Sequence, residues 1–288
     1  MSISEQKTVF IENGNATLHL KIYSNDILET LILLHGGPGV PDDMIEVVEF
    51  LKKNYHIITF EQRGVGQSKC EECTYKMENY ISDIDAISQY LEIDKFHLFG
   101  HSWGGLYAQI YAEERPEKIK SLFLCSPSSG TNKTWQKTEK EVMRFNQKST
   151  SKIEWLQMGW NSLLGMLGSD KAYQKLFNQV LKNYHKDYFE VKIEKDFLKK
   201  IYAKSVNKTT KEIKNYKALP VFNNTNYPIL ITYGDNDIYG NSRNKLLERF
   251  PSAKVHIIRK CGHIPWKHNP DGFNKVLIEF YFSKKNYN

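Results

Sequence analysis

The segment GHSWG at residues 100–104 constrains the fold of this chain more than any other feature. The apolar run 96–99 before it predicts a short buried strand, and residues 106–112 after it predict a helix. A serine on such a sharp strand-to-helix turn presents its hydroxyl to a base and a substrate. Glycines suit the turn because neighbouring Cβ atoms would clash there. The segment therefore predicts that Ser102 is a nucleophile.

Short β-type runs alternate with helical patterns along the 288 residues. This alternation predicts an α/β protein with a mostly parallel central sheet flanked by helices. Strands 7–12 and 16–23 are separated by an Asn-Gly-Asn turn, which favours an antiparallel start. The further predicted strands are 29–34, 56–60, 96–99, 119–124, 227–233 and 254–258. The predicted helices are 41–54, 80–91, 106–112 and 272–282.

Residues 128–221 interrupt the alternation with lysine-rich helical patterns and no convincing parallel strand. We expect residues 1–127 and 222–288 to form the core, and residues 128–221 to form a helical cap. An insertion at this point predicts a lid over the carboxyl edge of the sheet, where such folds bind ligands.

Charge and hydropathy limit the partners of the chain. The net charge of +7 comes from lysines that are densest between Lys133 and Lys217. No aromatic-basic motif accompanies them, so we interpret them as a solvated face and expect no nucleic-acid partner. No apolar stretch approaches the roughly 20 residues of a membrane span, and residues 1–6 lack a signal pattern. We expect no membrane partner and a cytoplasmic location, while the oligomeric state is not indicated.

Four cysteines, at positions 70, 73, 125 and 261, are too few for a disulfide scaffold in a chain of this size. Cys70 and Cys73 form a CxxC motif. A zinc site needs a second ligand pair nearby, and a redox motif would open a helix. We interpret the two as thiols in a surface loop of a reduced protein.

A nucleophilic serine needs a base, and the base needs an acid that fixes its tautomer. In this kind of fold the order along the chain is serine, acid, histidine. The acid candidates lie in the segment GDND directly after the strand 227–233. Asp237 is the preferred acid and Asp235 the reserve, although an aspartate at this position also suits a turn.

The predicted base is His263, which follows the last strand and a glycine that leaves room for a turn. His19 and His256 lie within predicted strands and are expected to be structural. His185 and His268 are expected to be exposed. His101 precedes the nucleophile, and its side chain is expected to point away from the site.

The tetrahedral intermediate needs preorganised hydrogen-bond donors for its negative charge. The expected donors are the backbone N–H after the nucleophile, on Trp103, and one from the loop after the third strand, on Gly37. The segment HGGPG at residues 35–39 supplies that loop.

Five segments together resemble the proline iminopeptidases, which are α/β-hydrolase aminopeptidases that release an N-terminal residue, often proline, from small peptides. These segments are HGGPG at 35–39, EQRGVGQS at 61–68, GHSWGG at 100–105, and the late GDND and CGH pair. The resemblance implies an acyl-enzyme mechanism with Ser102, Asp237 and His263 as the triad and Gly37 and Trp103 as oxyanion donors. It implies no metal and no organic cofactor. Gly36, Trp103 and Ile238 are expected to contact the substrate.

The chain departs from this family where a substrate amine would bind. In many small members a glutamate directly follows the triad aspartate, whereas here Ile238 takes that place. Glu190, Glu194 and Glu212 of the insertion are candidate substitutes, although each also fits a solvated helix charge. A carboxylesterase or lactonase therefore remains the alternative to an aminopeptidase, and a low-turnover ligand-binding protein is a further one.

Overall fold

The computed structural model describes residues 6–23, 28–42, 44–72, 74–223 and 225–282. An eight-stranded sheet forms its centre, with the strand order β1-β2-β4-β3-β5-β6-β7-β8. The strands are β1 Gln6–Asn13, β2 Ala16–Tyr23, β3 Thr30–Leu34, β4 His56–Glu61, β5 Phe96–His101, β6 Ile119–Cys125, β7 Ile229–Gly234 and β8 Lys254–Ile258.

The sheet begins antiparallel and continues parallel. β1 pairs with β2 and β2 with β4 in antiparallel register, and every pair from β4 to β8 is parallel. The predicted α/β class with a mostly parallel sheet is confirmed. The carboxyl ends of the parallel strands consequently meet at one edge of the sheet, where ligands bind in such folds.

Helices cover both faces of the sheet. The core helices are α1 Ile45–Leu51, α2 Met77–Tyr90, α3 Trp103–Glu114, α9 Arg243–Arg249, α10 Pro265–His268 and α11 Pro270–Tyr281. Alternate residues of the buried strands point to opposite faces, so Ile32 joins the cluster beneath α2 and α3 while Leu31 joins the cluster beneath α1 and α11.

Five helices lie between β6 and β7, at the position of the predicted insertion. They are α4 Asn132–Ser149, α5 Lys152–Met166, α6 Asp170–His185, α7 Lys195–Leu198 and α8 Ala203–Asn215. Polar contacts tie them to the strands and helices below. Tyr80 and Thr209 share a hydrogen bond of 2.6 Å, and Lys200 Nζ lies 3.0 Å from Glu61 Oε1.

A buried ion pair joins the segment after β4 to α2. The Arg63 guanidinium donates two hydrogen bonds to Asp83, of 2.9 Å to Oδ2 and 2.6 Å to Oδ1, and both side chains are almost fully buried. Arg63 also donates to the carbonyl oxygens of Thr74 and Asn79. The arginine of the EQRGVGQS segment therefore fixes the start of α2 against the sheet.

Two local expectations were wrong. The first core helix begins at Ile45 rather than at residue 41, because Met44 takes the left-handed conformation with φ 47° and the Asp42 carboxylate accepts its N–H. Cys70 is buried and disulfide-bonded, so it is not a surface thiol. Cys73 lies outside the described residues. In the part of the chain that the structure describes, no helix has both the length and the apolarity needed to cross a bilayer.

Candidate active site

Ser102 occupies the sharp turn between β5 and α3. Its φ of 55° and ψ of −117° are strained for a residue with a side chain, and the surrounding hydrogen bonds hold it there. The flanking glycines are required by contact. A Cβ on Gly100 would lie 2.3 Å from Gly104 O, and a Cβ on Gly104 would lie 2.1 Å from Leu34 O. Glycine is therefore required at both positions, where a Cβ would clash with backbone carbonyl oxygens rather than with neighbouring Cβ atoms.

Three loops at the carboxyl edge of the sheet bring Ser102, His263 and Asp237 together. Ser102 Oγ lies 3.0 Å from His263 Nε2, and His263 Nδ1 lies 3.0 Å from Asp237 Oδ1. The loops follow β5, β8 and β7, and Ser102 and His263 lie 161 positions apart along the chain. Ser102 is buried, and the side chains of His263 and Asp237 are 3% and 0% exposed. The Asp237 carboxylate accepts the Nδ1–H of His263, which fixes the tautomer and leaves Nε2 to accept the hydrogen bond of the Ser102 hydroxyl.

The two aspartates of the GDND segment have different partners. Burial raises the pKa of Asp237, but the charge and hydrogen bond of His263 outweigh burial and leave that pKa below its ordinary value. Asp235 instead accepts the backbone N–H groups of Cys261 and Lys260, at 2.9 and 2.8 Å. Asp235 therefore holds the loop that carries His263 and does not contact the imidazole.

His101 lies inside the site rather than pointing away from it. Its Nε2 donates a 2.8 Å hydrogen bond to the carbonyl oxygen of His263, and its ring lines the cavity above Ser102. Burial lowers the pKa of His101 to about 3, so the ring is neutral at pH 7. The expectation that the His101 side chain points away from the site was wrong. The carbonyl oxygen of His263, which accepts its hydrogen bond, draws the ring toward the cavity.

The HGGPG loop is fixed to the turn that bears Ser102. Gln62 donates its side-chain amide to His35 O at 3.0 Å and accepts the Trp103 indole N–H at 2.8 Å. Trp103 is the first residue of α3, so its backbone N–H has no partner within the helix. Gly37 lies on the wall of the same cavity, with a φ of 58°.

A small apolar cavity of about 110 Å³ opens above Ser102 and His263. The core contributes Gly36, Gly37, Val40, Pro41, Asp42, His101, Ser102, His263 and Ile264, and α6 and α7 contribute Phe177, Val180, Leu181, Tyr184 and Phe197. A cavity of roughly 150 Å³ accommodates benzene, so this one fits a five-membered ring or a short acyl chain.

Two of the three expected substrate contacts differ from the expectation. Gly36 lines the cavity and lies against Ser102, since a Cβ at Gly36 would be 3.0 Å from Ser102 Cβ. Ile238 and the Trp103 side chain are instead buried in the core beneath the site. Trp103 is the first residue of α3, and its side chain points into the packed interior. Only the backbone of Trp103 therefore faces the turn.

The carboxylates are also placed differently from the expectation. Glu190 and Glu212 line surface grooves remote from Ser102, and Glu194 is an exposed residue before α7. Among the described residues, Asp42 is the carboxylate that lines the cavity wall. It was not singled out from the sequence, since an aspartate after a proline is typical of a helix start.

Tyr239 is a further residue that sequence reasoning missed. Its hydroxyl lies 3.1 Å from Ser102 Oγ and 2.6 Å from Ser128 Oγ, and its ring packs edge-on against His263. Burial raises the pKa of Tyr239 to about 12, so the phenol is neutral. Its position two residues after Asp237 was the available signal.

His185 and His268 were expected to be exposed, and this expectation was wrong. His185 is 3% exposed and His268 is half-buried. His185 Nδ1 lies 2.9 Å from His268 Nε2, which joins α6 to α10, and Tyr188 stacks on the His268 ring at 3.9 Å. One ring donates and the other accepts, so the bond requires the accepting histidine to be neutral and is lost when both are protonated.

This histidine pair is expected to make stability depend on pH. Burial lowers the pKa of His185 to about 4 and that of His268 to about 3, from 6.5. Between pH 6.5 and 4 the unfolded chain therefore binds more protons, and the free energy of unfolding falls as the pH falls. We expect His185→Gln to reduce the loss of Tm between pH 7.0 and pH 4.5, measured by thermal unfolding. His256→Gln on β8 is the control, and an unchanged loss of Tm in His185→Gln would contradict the assignment.

The fold and the site define a hydrolase of the α/β class. A sequence model of the family described as alpha/beta hydrolase fold matches residues 29–270, and the chain belongs to that family.

Among its curated relatives, the chain is similar to proline iminopeptidases. The chain is 27% identical to a proline iminopeptidase of Lactobacillus helveticus, in an alignment 299 positions long that covers 97% of this chain and 98% of the relative. It is 25% identical to one of Lactobacillus delbrueckii subsp. bulgaricus over 276 residues, which cover 88% and 90%. The resemblance to proline iminopeptidases is thereby confirmed.

Solved structures share the fold. Naproxen esterase from Bacillus subtilis has a TM-score of 0.64 at 17% identity and covers 96% of this chain and 92% of its own. VinJ has a TM-score of 0.68 at 17% identity and covers 97% and 98%. At these identities the likeness concerns the fold alone.

Proposed function

We propose that this protein is a serine hydrolase that acts through an acyl-enzyme. The observation that carries the proposal is the continuous hydrogen-bonded chain from Asp237 through His263 to Ser102 at the floor of the cavity. Ser102 is the nucleophile, His263 the general base and Asp237 the acid that orients the imidazole.

In acylation, Ser102 Oγ attacks the substrate carbonyl carbon while its proton passes to His263 Nε2. Asp237 stabilises the imidazolium that forms. The backbone N–H groups of Gly37 and Trp103 donate to the oxyanion, and each such donor contributes roughly 3 kcal/mol to the transition state. As the intermediate collapses, His263 returns the proton to the leaving amine or alcohol.

In deacylation, His263 takes a proton from water, and the resulting hydroxide attacks the ester carbonyl. Ser102 Oγ then leaves and recovers a proton from His263. The Tyr239 hydroxyl, 3.1 Å from Oγ, donates to the oxygen that departs. The helices α6 and α7 close the cavity from above and exclude bulk water, which strengthens these interactions.

Within this class, we propose a proline-iminopeptidase-like aminopeptidase that acts on small peptides. The curated relatives with that name match along nearly the whole chain. The cavity suits a prolyl ring in size and polarity. Asp42 on the cavity wall is the proposed partner of the protonated substrate amine, in the role for which Glu190, Glu194 and Glu212 are poorly placed.

A carboxylesterase is the second candidate. It is favoured by the apolar character of the cavity wall, on which Asp42 is the carboxylate among the described residues. Ile238, rather than an acidic side chain, follows Asp237 and is buried in the core. An ester substrate needs no anionic partner for an amine.

The substitution Asp42→Asn distinguishes the two candidates. We expect Asp42→Asn to raise KM for prolyl 4-nitroanilide by about tenfold or more, because a partly buried ion pair is lost. Turnover of 4-nitrophenyl acetate should change little. Asparagine keeps the side-chain oxygen that accepts the Met44 N–H, so the loop is retained.

Asp94→Asn, a substitution in the exposed turn before β5, is the matched control. Rapid ester cleavage with no cleavage of the anilide by the unmodified protein would reject the aminopeptidase in favour of the esterase. Anilide cleavage that is unaffected by Asp42→Asn would reject Asp42 as the amine-binding group.

A further inference from the structure

The helix α5 exposes a row of large apolar side chains. The exposed fractions are 70% for Ile153, 73% for Leu156, 62% for Trp160, 45% for Leu163 and 78% for Leu167, which directly follows the helix. Soluble monomers rarely expose several large apolar side chains side by side, so such a patch marks an interaction site.

The spacing places this row on a single face. The intervals of three and four residues form one stripe, about 21 Å long at 1.5 Å per residue. The opposite face of α5 carries the buried Met158 and Gly165 and packs against α6, where Gly165 lies close to Tyr173. The stripe is therefore the outward face of a fixed helix. We call Ile153, Leu156, Trp160, Leu163 and Leu167 the α5 stripe.

The surroundings of the α5 stripe are basic. Residues 128–221 hold 19 lysines and arginines against 9 acidic residues, a net charge of +10, whereas the rest of the chain carries −3. Lys152 adjoins the stripe in sequence, and Lys175 lines the surface groove that also contains Leu156 and Trp160. Glu154 in the same groove is bound to the start of α5, where it accepts from Ser151.

We propose that the α5 stripe docks on an anionic lipid surface. A helix with leucine and tryptophan on one side and lysines around it lies in the plane of a membrane interface, and anionic headgroups attract its lysines. A second copy of this chain is the less suitable occupant, because two insertions of charge +10 would face each other. This contact is peripheral, so it needs no spanning helix, and it revises the expectation of no membrane partner.

Vesicle sedimentation tests the proposal. The full chain is mixed with vesicles of phosphatidylcholine and phosphatidylglycerol (7:3), or of phosphatidylcholine alone, at low and high salt. We expect binding to the anionic vesicles that weakens with salt, and at least a tenfold loss of the partition coefficient in Leu156→Ser/Trp160→Ser. Ile278→Ser, at an apolar position on α11 that is 48% exposed, is the matched control and should bind normally.

Tryptophan emission gives a second readout. Trp160 is 62% exposed, whereas Trp103, Trp135 and Trp266 are buried and Trp155 is half-buried. A blue shift on adding anionic vesicles therefore reports mainly on the α5 stripe. Lys152→Glu/Lys175→Glu leaves the apolar side chains in place and should weaken binding to the anionic vesicles alone.

Three outcomes would overturn the proposal. The first is no binding to the anionic vesicles, and the second is binding that Leu156→Ser/Trp160→Ser leaves unchanged. The third is a dimer in sedimentation velocity that this double substitution dissociates, which would assign the α5 stripe to a second copy of the chain.

Discussion

Ser102→Ala is expected to lower kcat by roughly 10⁴- to 10⁶-fold and to abolish covalent labelling by a fluorophosphonate. The substitution removes the oxygen that forms the acyl bond, while the oxyanion donors and the cavity remain. His263 would then lack its 3.0 Å partner and could activate only water. Turnover of 4-nitrophenyl acetate and the intact mass after labelling measure the two effects.

Ser128→Ala is the matched control for this experiment. Ser128 is a buried serine whose hydroxyl reaches the same site through Tyr239, at 2.6 Å. It should remain labelled at Ser102 and keep most of its activity. Labelling that persists in Ser102→Ala, or that disappears only in Ser128→Ala, would show that the nucleophile is another residue. A wild-type protein that binds small acyl compounds but is neither labelled nor active would instead be a ligand-binding protein.

Asp83→Ala is expected to destabilise the fold by about 3–5 kcal/mol, because it leaves the Arg63 guanidinium buried without a counter-charge. The corresponding fall in Tm is roughly 10 °C for a chain of this size. Both partners are almost fully removed from solvent, so water cannot replace the lost carboxylate. Thermal and urea unfolding measure the effect.

Asp85→Ala on the same helix is the control for this prediction. Asp85 pairs with Arg115 at 3.0 Å, and both side chains are partly exposed, so the expected cost is about 1 kcal/mol or less. Arg63→Met/Asp83→Leu removes both charges and should be more stable than Asp83→Ala, since no unpaired charge stays buried. Equal costs for Asp83→Ala and Asp85→Ala would contradict the buried-pair assignment.

The sequence was sufficient wherever local pattern decides structure. The strands β2 and β8 begin and end at the predicted residues, because apolar runs bounded by turns specify buried strands. Ser102, His263 and Asp237 were located from their positions after strands, since parallel strands bring their carboxyl ends to one edge. Asp237 was preferred over Asp235 from the sequence, and the structure adds that Asp235 instead accepts the backbone N–H groups of Lys260 and Cys261.

The remaining features depend on contacts between distant segments. His185 and His268 lie 83 positions apart, and neither has a neighbour in sequence that indicates burial. Asp42 was interpreted as part of a helix start, although the left-handed Met44 delays α1 and leaves Asp42 on the cavity wall. Tyr239 reaches Ser102 only through the folded turn after β7. The periodicity of apolar residues in the sequence does not predict contacts between such distant residues.

The cavity has two kinds of wall, one formed by loops of the core and one by the inserted helices. The reacting groups belong to loops fixed by the sheet. The opposite wall is formed by α6, which contributes Phe177, Val180 and Leu181, and by α7, which contributes Phe197. Mutations at these four positions therefore alter the shape offered to an acyl group without displacing the oxygen and nitrogen atoms that react. A mutant library restricted to these four positions should yield variants with new substrate selectivity in which the reacting groups are unchanged.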